Sequence, residues 1–149
     1  MKKALIAGSL WAAMAGFLPA QEAARPSAAD IEAHNQAIAK ALAAAAPVKL
    51  AVEQFRVRTK RFPSNNTDAG MNLPASFGNY DVKQIAVNAN GVIDITLTET
   101  SGVDDGVIRL TPKPSPGSGE NAVEWTCASA SYAAIADATG GVCEHTNQP

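Results

Sequence analysis

The sequence predicts an α+β domain in which an N-terminal helix packs against a four-stranded antiparallel sheet, with a C-terminal loop bounded by two cysteines. Three observations carry this. Apolar residues recur at helical spacing up to Phe62 and alternate at strand spacing from Asp81 onward. Asn90-Gly91 lies between two alternating runs, where both residues tolerate the positive φ of a tight turn. The only two cysteines, Cys127 and Cys143, fall together near the end. With 149 residues, 46% of them hydrophobic, and a net charge of -2, the chain has the composition of one globular domain and no bulk charge for a nucleic acid or membrane surface. Aromatics are scarce and alanine supplies much of the apolar total, so the core is small and gains from a covalent staple.

Residues 1–20 read as a secretion signal: Lys2 and Lys3 start it, Ala4 to Leu18 is apolar, and Leu18-Pro19-Ala20 resembles a cleavage site. The run is short for a bilayer, so no membrane insertion is expected after cleavage. The mature chain is therefore expected to be exported, to the periplasm, the medium or the cell surface. In that oxidising setting Cys127 and Cys143 are expected to form a disulfide, since no histidine or second cysteine pair stands at zinc-ligand spacing.

Residues 21–47 read equally as an alanine-rich helix, capped by Ser27 or Asp30 and carrying Ile31, Ile38 and Leu42, or as a frayed linker. Pro47 is expected to bend or interrupt any helix there. The domain proper is expected over residues 48–145, with 146–149 a tail. Its helix runs from Val48 to Phe62 and is closed by Pro63, with Val48, Ala51, Val52, Phe55, Thr59 and Phe62 on one stripe. Leu50 and Val57 lie nearly opposite that stripe, which predicts that other parts of the chain wrap around the helix. Residues 64–70 read as loop.

Four strands follow: 81–87, 92–98, 107–111 and 122–127, turning inward Ile85 and Val87, then Ile93, Ile95 and Leu97, then Ile108 and Leu110, then Val123, Trp125 and Cys127. Pro112, Pro114 and Pro116 with Gly117 and Gly119 predict a loop between the last two. The apolar face of this meander needs a cover, and the helix is the only segment large enough.

Ala51-Val52-Glu53-Gln54-Phe55 closing at Phe62-Pro63, then the turn Asn90-Gly91-Val92-Ile93, the run Leu110-Thr111-Pro112, and Trp125-Thr126-Cys127 followed by Cys143 resemble, in order and spacing, the globular part of a type IV pilin. The resemblance covers Val48 to Cys143. It implies a helical spine wrapped by an antiparallel sheet, and a disulfide-bounded C-terminal loop exposed for subunit contacts and adhesion. Type IV pilins begin their mature chain with a phenylalanine-led apolar helix bearing an early glutamate. Here most of the apolar run precedes Gly16-Phe17, and Pro19, Gln21 and Glu22 follow it. The resemblance thus implies a pilin-like module on a conventional export signal. Its expected partners are pilus components or a surface ligand, met through a sheet edge and the Cys127 to Cys143 loop.

No catalytic constellation emerges. His34 and His145 are far apart and no serine stands in a nucleophile motif, so no enzymatic activity and no cofactor are expected. Asp104-Asp105-Gly106 reads as a turn rather than a calcium loop, and no metal is expected. Asn65-Asn66-Thr67 fits a glycosylation pattern but reads as plain loop. The alternative function is a soluble binding protein for DNA or another anion, using the basic helix edge of Lys49, Arg56 and Lys60, with Glu53 interrupting it.

Overall fold

The computed structural model describes residues 25–115 and 122–147. The expected signal segment, the start of the alanine-rich segment and the Pro116 to Gly119 part of the expected loop lie outside the described residues. Two helices lead the fold, α1 (Ala28–Ala44) and α2 (Ala46–Thr59). Ser27 caps α1: its hydroxyl accepts from the Asp30 N–H, and its own N–H donates to the Asp30 carboxylate at 2.9 Å. That reciprocal cap, on a run of strong helix formers, makes the segment a helix from Ala28 rather than a linker. The break falls at Ala45, two residues before Pro47, which stands in the first turn of α2 where a missing N–H costs nothing.

Val48, Val52 and Phe55 of α2 are buried as the stripe requires. The helix ends at Thr59, not Phe62. Lys60 takes the left-handed conformation (φ 60°) and donates its N–H to the Arg56 carbonyl, while the Thr59 hydroxyl bonds the Phe55 carbonyl. The chain thus reverses before Pro63, and Phe62 comes to lie beside Val52. Leu50 and Val57 remain exposed, so nothing described wraps that side of the helix.

The sheet contains β1 (Val82–Val87), β2 (Ile93–Leu97), β3 (Val107–Pro114), β4 (Val123–Ser129) and β5 (Cys143–His145), in that order. The first four form the expected antiparallel meander. The fifth was not foreseen and runs parallel to β4. Alternation places two apolar rows across the strands on the face toward the helices. Ile85, Ile95 and Ile108 are register partners, as are Val87, Ile93, Leu110, Cys127 and Cys143 in a row that ends in the cysteines. Both rows belong to the buried core with Ile38, Ala41, Ala45, Val48 and Val52. Burial of these aliphatic side chains, each contributing roughly 1.5–3 kcal/mol, is what holds the helices on the sheet.

Two loop expectations change. The β1–β2 connection spans Asn88 to Val92 with a 3-10 turn at Ala89–Gly91, longer than a two-residue turn. Asn90 and Gly91 do both adopt positive φ. A Cβ on Gly91 would stand 3.0 Å from Val52 and 3.1 Å from Phe62, so glycine is needed there for space as well as conformation. Strand β3 continues through Pro112 to Pro114. Ser115 donates to the Ala122 carbonyl of the facing segment, so by alternation the Pro112 and Pro114 nitrogens face the other side, which β2 has already left.

Candidate functional site

The disulfide joins Cys127 and Cys143, which are register partners in β4 and β5 with Cα atoms 4.5 Å apart. It closes a loop whose middle is pinned to the core by two side chains, Tyr132 and Ile135, both buried. The Tyr132 hydroxyl meets the Ser101 hydroxyl at 2.6 Å, and the single Ser101 proton has the Thr98 carbonyl at 2.8 Å and the Val103 carbonyl at 3.1 Å as acceptors. Burial pushes the Tyr132 hydroxyl pKa above its ordinary value, with the Ser101 bond opposing in part. Gly106 makes this seat feasible, because a Cβ there would stand 2.5 Å from the tyrosine ring carbon that bears the hydroxyl. Between the pins and the disulfide the loop is open to solvent: Ala133, Ala134, Gly140, Gly141 and Val142 are exposed.

Tyr132 and the exposed alanines form one wall of a cleft of about 400 Å³, with Ile31, His34 and Ile38 of α1 opposite and the turn at Gly102-Val103 across its end. The His34 ring lies against Gly102, where a Cβ would be 2.7 Å from Nδ1. Sequence reasoning missed this cleft: its walls come from three separate segments, and the only advance signal was that Ile31 begins a thin apolar stripe with too little beneath it. On the β1 side, the Lys83 ammonium bridges Asp104 at 2.7 Å and Asp105 at 2.8 Å, so the expected turn is fastened to the sheet. The bond to Asp104 raises the Lys83 pKa, and the same contact lowers that of Asp104.

The β1 edge presents no free strand at its centre. Asn66, buried in the loop, donates to the Ile85 carbonyl at 3.0 Å and accepts from the Val87 N–H at 2.7 Å. Its side chain occupies the place of a neighbouring strand.

The three residues of the basic helix edge are spread over different tasks. Lys49 sits 5.3 Å from the centre of the Trp125 ring, whose Nε1–H donates to Glu53 at 2.7 Å. Arg56 stacks on Phe62 at 4.5 Å. Lys60 stands at the left-handed turn that ends α2. Arg61, beyond the helix, covers Phe55 at 4.9 Å. Lys49 and Arg56 therefore cover aromatic faces of the fold rather than converge on one point. Among the described residues no group of three histidine, cysteine or acidic side chains is placed to hold a metal ion.

A helix pair is laid over an antiparallel meander, with a terminal loop stapled at its ends and pinned in its middle: the architecture is that of a helix-on-sheet α+β domain. A family model of pilin, the subunit of a bacterial filament, matches residues 37–141, and the chain belongs to that family. The matched span runs from the second half of α1 to just before Cys143, so it takes in the core helix, the meander and the loop. A search of individually curated proteins found no match. Membership makes the chain a pilus structural component of an exported, cell-surface family, one whose members assemble with other pilus subunits. Among the described residues no helix is long and apolar enough to cross a membrane.

Proposed function

We propose that the chain is an exported, pilus-associated interaction module without enzymatic activity, which meets other pilus components or a surface ligand through the disulfide-bounded loop and the cleft beside it. One observation carries this reading. The loop is fixed at its ends by Cys127–Cys143 and in its middle by Tyr132 and Ile135, yet it keeps an apolar, solvent-facing surface at Ala133, Ala134 and Val142. A surface held rigid binds with less ordering cost than a free loop. The export half of the reading rests on the charged start, the short apolar run and Leu18-Pro19-Ala20, and puts the mature N-terminus near Gln21. The anion-binding alternative has no observation in its favour, because Lys49 and Arg56 are already engaged with rings.

The test is capture of pilus components from the native envelope by the purified mature protein. Val142→Asp and Ala133→Glu, both at exposed positions, are expected to abolish capture while leaving the melting temperature within a degree or two of the parent. Capture that survives both changes and is lost instead in Arg56→Ala would overturn the reading in favour of the basic edge. Edman sequencing beginning at Phe17 would overturn the conventional export signal.

A further inference from the structure

We infer that the cleft beside α1 binds a small amphiphilic amine, its apolar tail against Ile31, Ile38 and Tyr132 and its ammonium group held at Glu99 beside Tyr80. This rests on the proposed role of the cleft as a contact site and gives its surface ligand a chemical class.

The cleft follows from where two local structures start and stop. The Ser27–Asp30 cap begins α1 at Ala28, and Ile31, His34, Asn35 and Ile38 then follow at spacings of three, one and three, so they share one face. Opposite them the 3-10 turn Glu99–Ser101 ends in the left-handed Gly102, which lets the His34 ring pack against its backbone and brings Val103 to the mouth. A volume of about 400 Å³ with mainly apolar walls has the size and character of a small-molecule site. Ile31 and Val103 leave 48% and 38% of their surface in water at its mouth. Within the cleft the half-buried Asn35 amide has no hydrogen bond among the described residues. A polar group without a partner in an apolar recess serves to orient a ligand better than it serves the fold.

His34 also lines a second hollow, of about 270 Å³, so the two recesses meet at its ring. In that hollow Asp30, Asp81 and Glu99 face a single lysine, Lys40. Lys40 pairs with Asp81 at 3.5 Å, and the Thr100 hydroxyl donates to Asp81 at 3.0 Å, so this carboxylate is already occupied. The bonds from Ser27 hold the Asp30 carboxyl below the ordinary carboxylate range and keep it charged. Asp30 also answers the positive end of α1, which left bare would favour an anion. Glu99 has no ion pair and no side-chain hydrogen bond among the described residues. Tyr80 lies in the same hollow with 80% of its surface exposed, so its ring adds almost nothing to the core. A free carboxylate beside an open aromatic face is the pair of groups that recognises an ammonium ion.

Few chemistries satisfy both recesses at once. An alkyl carboxylate would fit the apolar cleft but set its charge against Asp30 and Glu99. A hydrophilic polyamine would suit the hollow and leave the cleft in water. An amine with an aliphatic or aromatic tail answers both, the tail displacing water from the apolar walls and the ammonium donating to Glu99.

The experiment uses the full mature protein with its disulfide intact, followed by amide NMR during titration with octylamine, octanol or octanoate below their aggregation concentrations. Expected for octylamine are saturable shifts confined to residues 31–38, 99–103 and 132–134, with octanol several-fold weaker at the same residues and octanoate weaker still. Butylamine should bind at least roughly tenfold more weakly than octylamine, because the shorter tail buries less of the cleft. Glu99→Gln and Tyr80→Leu, both at exposed side chains, should each reduce octylamine affinity roughly two- to five-fold and leave that of octanol unchanged. Ala134→Trp, which fills the cleft from an exposed position, should abolish binding of all of them; if it disturbs the fold, the two surface variants decide the matter without it. Octanoate binding as tightly as octylamine would overturn the cationic head. Octylamine shifts centred on Leu50 and Val57 would overturn the cleft as the site, and the absence of any saturable shift would overturn the inference outright. Capture of pilus components is measured separately, so the pilus-associated reading stands or falls on that result and not on the amine.

Discussion

The β1 edge of the sheet is closed at its centre by one side chain, whereas the β5 edge is closed by a covalent bond and two buried anchors. At β1 the Asn66 amide satisfies a carbonyl and an N–H that would otherwise invite another strand. At β5 the Cys127–Cys143 bond holds a three-residue parallel strand that has too few hydrogen bonds to stand alone, and Tyr132 and Ile135 tie down the connection before it. The first device ends the sheet. The second ends the sheet and also leaves a surface whose residues can change without touching the core. The contact site we propose lies on the β5 side, next to the cleft.

Cutting the covalent device should have the largest effect. With the cysteines 16 positions apart in sequence, the chain-entropy model gives the bond about 3 kcal/mol, so Cys127→Ser with Cys143→Ser should lower the unfolding free energy by that order in urea titrations. Amide exchange should then speed up from Cys143 to Thr146 while the β1–β2 pair stays protected. Equal loss of protection at both edges would erase the distinction drawn between them.

Next in size is Asn66→Ala, which strands the Ile85 carbonyl and the Val87 N–H beneath the loop. Two buried groups left without partners predict a loss of roughly 2–3 kcal/mol and a new tendency to self-associate through β1. Asn66→Asp sharpens the point: a carboxylate still accepts from Val87 but cannot donate to Ile85, so it should recover part of the loss and no more. A smaller effect, about 1 kcal/mol, is expected for Tyr132→Phe, since the Ser101 hydroxyl keeps the Thr98 and Val103 carbonyls as acceptors. The measurable signature is faster exchange confined to the loop and to Ser101–Gly106.

The two edges also differ in how far the sequence reveals them. The four meander strands are legible because Ile85, Ile93, Ile95, Leu97, Ile108 and Leu110 alternate with polar residues, and alternation is a direct image of one buried face. Asn90-Gly91 marks its turn for the same local reason, although the surrounding residues lengthen it. Strand β5 has only three residues and shows no period; its position follows from Cys127 across the sheet, which is tertiary information. Asn66 reads as loop because nothing in a polar run distinguishes an amide that faces solvent from one that faces a strand edge. The helix end was misplaced by three residues because Lys60 adopts a left-handed turn that a lysine seldom takes, while Phe62-Pro63 supplied a stronger local stop signal. The cleft was illegible in principle, since Ile31, Val103 and Tyr132 meet only after the whole sheet has formed.

The smallest expected effect concerns the strap that runs from the sealed edge toward the cleft. Lys83 lies on β1, and its ammonium holds Asp104 and Asp105 of the turn that also presents Val103 to the cleft mouth. The contact lowers the Asp104 pKa below its ordinary 3.8 and raises that of Lys83 above 10.5. For a depressed carboxylate the contribution is complete above the ordinary pKa and fades as pH falls through the lower folded value. For a raised ammonium it is complete below 10.5 and fades as pH climbs through the higher one. The strap is therefore intact across the neutral range and opens only at the two extremes. All three groups face solvent, so global stability should hardly register it. Lys83→Met should instead show itself locally, as faster amide exchange at Val103 to Gly106 at neutral pH, with Ile85 and Val87 as protected as before. If exchange at Val87 rose together with that at Val103, the seal made by Asn66 would depend on the strap, and the two edges would be one mechanical unit instead of two.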